Sequence, residues 1–317
     1  MLIALTFATA LVVGLVAPPL VRGLAHSRGL LDEPGGRKVH RVAIPRLGGV
    51  AMAIAFGVAI GAAILVSPDL GSVGGLRPNR APAILVGVAI LLVVGVVDDV
   101  RGMRALVKLS FQVLAAAVTF WLGLSIERLF LPWGTVELGI LALPITVAWI
   151  VAVINAVNLI DGLDGLASGV VLTALGAFGL LAAVDGVDPT LPLIAATTGA
   201  AVGFLAYNLH PATIIMGDTG SMFLGFVVAA IGLSLTQDGV RPVEPWVPIV
   251  ALGVPIIDTA WAIVRRTARG ERFFVADRGH IHHQLLRRGL SQRDAMLILT
   301  AASAGLAVVA VLIAQVD

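Results

Sequence analysis

The chain has 317 residues, of which 58% are hydrophobic and 13% charged, and it contains no cysteine. Soluble globular proteins are about 45–50% apolar and about 25% charged, so this composition excludes a soluble enzyme and a disordered chain. The missing cysteines exclude disulfides, thiolate metal sites and cysteine nucleophiles. The formal net charge of +2 does not indicate a nucleic-acid-binding protein, and no nucleic acid is expected as a partner.

Long apolar runs recur along the whole chain. A membrane-spanning helix needs about 20 mostly apolar residues, and ten runs approach that length: 2–20, 47–66, 81–97, 105–122, 139–157, 166–184, 191–207, 221–236, 246–264 and 294–316. The first run lacks a preceding basic segment, which favours a retained span over a signal peptide. We therefore predict an all-α, polytopic membrane helix bundle with about ten spans and one domain over 1–317. The segment 130–139 predicts a small hairpin at the membrane interface.

Basic residues are distributed unevenly between the two sets of loops. Seventeen of the 21 Lys and Arg residues, and all six His, lie in or beside the loops 22–46, 98–108, 158–165, 208–218 and 265–293. Basic loops remain on the cytoplasmic side of a membrane, so these loops are predicted to be cytoplasmic. With ten spans, both termini then face outward.

Three acidic clusters lie at the predicted cytoplasmic ends of spans. They contain Asp98 and Asp99; Asn158, Asp161 and Asp164; and Asp218. Carboxylates at a membrane boundary are costly unless they pair with cations or a metal. If helical, Asp161 and Asp164 would share one helix face, but Gly162 and Gly165 make a tight loop an equal alternative. Taken singly, the clusters could be interface charge pairs, a polar loop and a helix cap.

The chemistry of these clusters indicates a phosphoryl-transfer site. Oxygen ligands without cysteine favour Mg²⁺, or Mn²⁺. The basic loop 265–293 includes His280, His282 and His283; its side chains can hold phosphate oxygens, although such a loop can also bind anionic lipids. Carboxylates and a metal beside such a loop are typical of phosphoryl transfer. A transporter is the alternative from another class, but it predicts charges near the membrane midplane rather than at one face.

Four motifs together resemble the polyprenyl-phosphate N-acetylhexosamine-1-phosphate transferase family. They are VDD (97–99), NAVNLIDGLDGLASG (155–169), IMGDTGSMFLGF (215–226) and ADRGHIHHQLLRRGLS (276–291), and the loop RKVHRVAIPRLGG (37–49) fits as well. The last motif is similar to that of the N-acetylglucosamine-1-phosphate branch. The resemblance implies transfer of N-acetylglucosamine-1-phosphate from UDP-N-acetylglucosamine to undecaprenyl or decaprenyl phosphate, with release of UMP. Transfer of phospho-N-acetylmuramoyl-pentapeptide, or of another N-acetylhexosamine phosphate, is the alternative within the family.

The resemblance also implies roles for individual residues, a bacterial plasma-membrane location and a possible homodimer. The implied catalytic residues are Asp98, Asp99, Asp161, Asp164, His282 and His283; the implied substrate contacts are Lys38, His40, Lys108, Asn158, Arg278 and His280; and the implied metal ligands are Asp218 and Asp161. Asp98 or Asp99 would contact the metal or deprotonate the lipid phosphate. Asp258, inside the ninth apolar run, has no assigned role, and Arg265 and Arg266 are considered as its partners.

Overall fold

A computed structural model describes residues 1–33, 42–67, 80–131, 133–184, 190–237, 242–270 and 279–315. Its helices are Leu2–Ser27 (α1), Gly48–Val66 (α2), Arg80–Arg101 (α3), Ala105–Trp121 (α4), Ala142–Ile160 (α5), Leu166–Val184 (α6), Leu191–Asn208 (α7), Gly217–Gln237 (α8), Trp246–Ala251 (α9), Gly253–Ala268 (α10), Ile281–Arg287 (α11) and Gln292–Ile313 (α12). Two antiparallel strand pairs accompany them: Leu31–Asp32 (β1) with Ile44–Pro45 (β2), and Arg128–Leu131 (β3) with Gly134–Glu137 (β4).

The predicted all-α, polytopic membrane fold is confirmed. Among the described residues, eight helices are long and apolar enough to cross a membrane, and α4 is a shorter apolar helix of 17 residues. The remaining predicted span, the ninth run at 246–264, forms two helices, α9 and α10, separated at Leu252. Pro255 explains the break, because it lacks the N–H that would donate to the carbonyl of Ala251 in a continuous helix.

Helix α8 lies at the centre of the bundle, and its residues from Thr219 to Thr236 are all buried. Glycines let neighbouring helices approach its backbone closely. A Cβ on Gly49 of α2 would overlap the nitrogen of Gly220, and a Cβ on Gly95 of α3 would overlap the Cα of Thr219. Small residues at helix contacts are the usual means of tight packing in membranes. The start of α8 is therefore fixed by backbone packing on two sides.

The predicted hairpin at 130–139 is present as β3 and β4, at the far end of α8 from Gly217. Gln237, the last residue of α8, binds the start of β3. Its Oε1 accepts hydrogen bonds from the nitrogens of Glu127 (3.0 Å) and Arg128 (3.1 Å), and its Nε2 donates to the oxygen of Arg128 (2.8 Å). Helix α8 thus connects the hairpin at one end of the bundle with the acidic motif at the other.

Candidate active site

One cavity of about 550 Å³ lies where several helices begin or end. It is lined by residues from the ends of α3, α5 and α7 and from the starts of α4, α8 and α12. Eight predicted site residues line it: Asp98, Asp99, Lys108, Asn158, Asp161, Asp164, Asp218 and His283. Residues from motifs far apart in sequence therefore meet in one place. This agrees with the prediction that these motifs lie at the same ends of the membrane spans.

The carboxylate of Asp218 is held by two side chains from neighbouring helices. Lys108 of α4 forms an ion pair with Oδ2, and the Nδ2 of Asn158 donates a hydrogen bond to Oδ1. The same Asn158 nitrogen lies 2.8 Å from the Oγ of Ser221, one turn along α8. Hydrogen bonds to an ionised group are about twice as strong as neutral ones. Asp218 is thus fixed in orientation while remaining part of the cavity wall.

Lys108 also contacts a second carboxylate, that of Asp98 at the end of α3. The distance from its Nζ to Asp98 Oδ2 is 2.5 Å, and the other oxygen of Asp98 accepts a hydrogen bond from the nitrogen of Met103 at 2.5 Å. One ammonium group therefore lies between the carboxylates of Asp98 and Asp218 and offsets their mutual repulsion.

Asp99 has a different role from its neighbour Asp98. Its Oδ1 accepts a hydrogen bond from the nitrogen of Asp218 (2.9 Å), and its Oδ2 accepts from the nitrogen (3.1 Å) and the hydroxyl (2.5 Å) of Thr219. The first N–H groups of a helix have no partner within the helix, and a carboxylate there also interacts favourably with the helix dipole. Asp99 therefore caps α8 from another helix and sets the position of Asp218.

The Asp161–Asp164 segment is a tight loop, which decides between the two alternatives left open by the sequence. Helix α5 ends at Ile160, and Gly165 has φ of 74°. Asp164 accepts hydrogen bonds from the Nδ1 of His210 (2.8 Å) and the nitrogen of Ala212 (3.1 Å). The two carboxylates therefore do not share a helix face, and Asp164 ties this loop to the segment between α7 and α8.

Asp161 is the acidic residue of the cavity whose negative charge is least offset by neighbouring groups. Within the described ranges, its carboxylate has no hydrogen bond or ion pair. Burial, followed by the negative charges of Asp218, Asp99 and Asp164, raises the pKa of Asp161 to about 8. A nearby cation favours the ionised form of a carboxylate and offsets the repulsion from surrounding like charges. This makes Asp161 a suitable neighbour for a divalent cation.

The three histidines of the motif differ in their position relative to the cavity. His283 lines the cavity. His282 is 2% exposed and packs against Gly162, where a Cβ would overlap its Nε2. Burial, then the neighbouring His283 and His280, lowers the pKa of His282 to about 4. His280 is 5% exposed and faces Asp258 of α10. Of these three predicted histidines, His283 is the one placed to meet a ligand directly.

Three predicted residues, Lys38, His40 and Arg278, lie outside the described residues. Other cavity residues were not predicted from sequence. Asp32 and Arg46 line the cavity and pair with each other through Arg46 Nε and Asp32 Oδ1 at 2.8 Å, and Arg46 Nη1 also donates to the oxygen of Asp99 at 3.2 Å. Both lie in or beside the first basic loop, but their pairing depends on β1 lying beside β2. Asn208 and Gln292 also line the cavity, and no sequence pattern indicated them.

The oxygen donors of the cavity fit a magnesium ion whose coordination is completed by substrate. Within the described ranges, no group of three or more Asp, Glu or His side chains forms a ready metal site. Magnesium commonly takes one or two carboxylates together with water and substrate phosphates. Asp218 and Asp161 both line the cavity and offer oxygen atoms. Burial, followed by neighbouring negative charge that a cation would offset, raises the pKa of Asp161.

Known proteins with similar names match nearly the whole chain. Residues 81–236 match the family described as Glycosyl transferase family 4. A "Probable undecaprenyl-phosphate N-acetylglucosaminyl 1-phosphate transferase" of Bacillus subtilis (strain 168) is 38% identical over 299 residues, covering 94% of this chain and 81% of the relative. A "Decaprenyl-phosphate N-acetylglucosaminephosphotransferase" of Mycobacterium tuberculosis (strain ATCC 25618 / H37Rv) is 37% identical over 322 residues, covering 94% and 79%. An "Undecaprenyl-phosphate alpha-N-acetylglucosaminyl 1-phosphate transferase" of Salmonella typhi is 30% identical over 300 residues, covering 92% and 78%.

Proposed function

The chain belongs to glycosyl transferase family 4, and on that premise we propose that it transfers N-acetylglucosamine-1-phosphate from UDP-N-acetylglucosamine to a polyprenyl phosphate. The relatives from three bacteria are all named as transferases of this kind, for undecaprenyl or decaprenyl phosphate. The products are a polyprenyl-diphospho-N-acetylglucosamine and UMP. Such a lipid-linked sugar is the starting unit for building a cell-envelope glycan.

One observation carries the proposal: the acidic motifs and His283 meet in a single cavity at the ends of apolar helices. A polyprenyl phosphate has its charge at the membrane surface and its chain in the bilayer. An enzyme acting on it needs its polar site at one end of a membrane bundle, and this cavity has that location. The donor, which is water-soluble, can enter from the same side.

The reaction brings two anions together, which sets the main demand on the site. An oxygen of the lipid phosphate forms a bond to the β-phosphorus of the donor, and the bond from that phosphorus to the oxygen bridging to the α-phosphate breaks, releasing UMP. Lys108 supplies positive charge at the cavity wall beside Asp98 and Asp218. Preorganised charge of this kind stabilises a transition state in which negative charge spreads over phosphate oxygens.

A magnesium ion belongs to this proposal, with Asp218 and Asp161 as the residues that would hold it. When bound, such an ion neutralises phosphate charge and polarises the phosphoryl oxygens. Asn158 orients Asp218 through a hydrogen bond, and Asp99 fixes the helix turn that carries it. Between the two adjacent acids, we assign the contact with the reacting groups to Asp98, because its Oδ2 pairs with Lys108, the cation that also pairs with Asp218, whereas both oxygens of Asp99 bind the start of α8. Asp164 and His283 also belong to the substrate-facing wall.

The proposed orientation places the cavity in the cytoplasm and both termini outside. The charge distribution supports it, since most Lys and Arg residues lie in loops on the cavity side. The absence of cysteine allows a direct test with single cysteines introduced as Ser27→Cys, near the cavity side, and Gln315→Cys, at the other side. In intact cells, an impermeant maleimide should label the cysteine at position 315 and spare the one at position 27; the reverse pattern would contradict the orientation.

A homodimer is also part of the proposal and is tested by light scattering of the purified protein in detergent.

A donor comparison tests the function. The purified protein is incubated with undecaprenyl phosphate, Mg²⁺ and either UDP-N-acetylglucosamine or UDP-N-acetylmuramoyl-pentapeptide, each labelled in the sugar, and label is extracted into butanol. We expect a lipid product from the first donor and none from the second. Product from the second donor instead would assign the chain to the other branch, and product from neither would contradict the proposed reaction.

A further inference from the structure

Asp258 is a buried acid in α10 that the proposed reaction does not use directly. Asp258 is only 1% exposed. Both carboxylate oxygens are engaged: Oδ2 lies 2.9 Å from the Nδ1 of His280, and Oδ1 accepts a hydrogen bond of 2.9 Å from the nitrogen of Ile281. A carboxylate buried among helices is costly unless it is fully paired. The pairing here is with the two residues at the start of α11.

These contacts connect Asp258 to the cavity through a row of rings. The ring of His280 lies parallel to that of His282, with 5.8 Å between centroids and an interplanar angle of 7°. The ring of His282 lies 4.2 Å from that of His283. His283 lines the cavity, and His282 packs against Gly162, which follows Asp161. A shift of His280 or of the first turn of α11 would therefore displace both other rings.

The carboxylate also determines where His280 carries its proton. An ionised carboxylate only accepts hydrogen bonds, so an ionised Asp258 requires a proton on the Nδ1 of His280 that faces it. A partner on one ring nitrogen fixes both the tautomer and the orientation of an imidazole. An asparagine at the same place has nearly the same shape, but its amide can donate to Nδ1 and so reverse the tautomer.

We propose that Asp258 is a positioning residue for the transfer reaction, which holds His280 and the start of α11 so that His282 and His283 lie correctly beside the cavity. This role rests on the proposed function, since its readout is the transfer reaction. Asp258 itself does not belong to the cavity wall and, by this proposal, does not touch the substrates.

The first test is a double-mutant cycle with Asp258→Asn, His280→Gln and the double variant, in the lipid-product assay. Each single change should lower kcat/KM about tenfold or more, and the double variant should lose little more than the worse single variant, because the two residues act as one unit. Melting temperatures should remain within a few degrees of wild type. Full activity of Asp258→Asn, multiplicative losses in the double variant, or losses that follow the melting temperature would each overturn the proposal.

A matched control is Asp294→Asn. Asp294 is an exposed acid in the first turn of α12, and its Oδ2 accepts a hydrogen bond from the hydroxyl of Ser291 (2.6 Å). Its hydrogen bonds lie within its own helix turn rather than with the histidine row, so the activity of the variant should stay near wild type. If wild type and Asp294→Asn make no product, the proposed function fails; if both are active and Asp258→Asn equals them, only the present inference fails.

A second measurement is independent of whether the Asp258 variant folds. Nitrogen NMR of wild-type protein labelled with ¹⁵N-histidine, with the His280 signals assigned by their loss in His280→Gln, reports which ring nitrogen is protonated. We expect a protonated Nδ1 at His280. Where Asp258→Asn folds, its His280 should be protonated at Nε2. A wild-type His280 with an unprotonated Nδ1 would contradict the proposal.

Discussion

Gly217 lies directly against the carboxylate of Asp99: a Cβ on residue 217 would be 2.5 Å from Asp99 Oδ2. Gly217 also has φ of 70°, in the left-handed region that glycine adopts without steric cost. The glycine is thus required both by its backbone conformation and by the acid that caps α8. Its place in the sequence, immediately before Asp218, links the geometry of the cap to that of the candidate metal ligand.

We predict that Gly217→Ala severely impairs the enzyme. The left-handed conformation costs an alanine about 1–2 kcal/mol, and the added methyl also displaces Asp99. Gly270→Ala is the matched control, because Gly270 has φ of 68° but a Cβ added there would meet no atom of the described residues within 4 Å. Transfer activity should fall at least about a hundredfold for position 217 and stay within about twofold for position 270. Equal activities of the two variants would show that the contact with Asp99 is unimportant.

Asp99→Asn and Asp218→Asn should separate capping from chemistry. The amide introduced by Asp99→Asn would present a donor where the carboxylate accepts hydrogen bonds from α8, and loss of a helix cap costs about 0.5–2 kcal/mol. Asp99→Asn should therefore lower both the melting temperature and activity. Asp218→Asn should abolish activity and leave the melting temperature within a few degrees of wild type. Thermal melts and UMP release measured on the same preparations check this, and a fully stable, inactive Asp99→Asn would argue for a catalytic role of Asp99.

Lys108→Met should destabilise the protein through its two acidic partners. Without the ammonium group, the carboxylates of Asp98 and Asp218 lose their shared counterion. Breaking a buried ion pair by removing one partner costs about 3–5 kcal/mol, and partial exposure of Lys108 places the expected loss at the lower end. Adding Asp98→Asn should recover part of the lost melting temperature without restoring activity. No recovery in the double variant would mean that charge repulsion is not the cause.

Protein stability should fall in acid because of His282. Its pKa in the folded protein is about 4, below the ordinary value of 6.5, so the unfolded chain binds the proton more readily between these values. Stability from this group is therefore complete above about pH 6.5 and decreases as the pH falls toward 4, by up to about 3 kcal/mol. Burial contributes most to the lowered pKa of His282, the charges of His283 and His280 lower it further, and Asp258 raises it.

A comparison of variants isolates this contribution. His282→Gln should show a smaller drop in melting temperature than wild type between pH 6.5 and 4. His26→Gln, at an exposed histidine of α1, should show the same drop as wild type. An unchanged pH dependence in His282→Gln would contradict burial of a neutral imidazole at this position.

The sequence predicted the class of fold and eight of the residues that line the candidate site, because both depend on patterns along the chain. Apolar runs identified the membrane helices, and acids at the ends of those runs identified Asp98, Asp161 and Asp218. The break at Leu252 was not predicted, since hydropathy does not register the missing N–H of Pro255. The distinct roles of Asp98 and Asp99 also could not be predicted, because they depend on which carboxylate faces the start of α8, a contact across 119 residues. Asp258 was noticed as an intramembrane acid, but its partners His280 and Ile281 were found only in three dimensions.

The proposed transfer reaction and its magnesium site are tested most directly by UMP release from the purified protein with undecaprenyl phosphate and UDP-N-acetylglucosamine. Release should require both substrates, stop when EDTA removes the metal, and resume when excess Mg²⁺ is added. Release that needs both substrates but persists in EDTA would contradict the magnesium site at Asp218 and Asp161. No release in the presence of both substrates and Mg²⁺ would contradict the proposed transfer reaction itself.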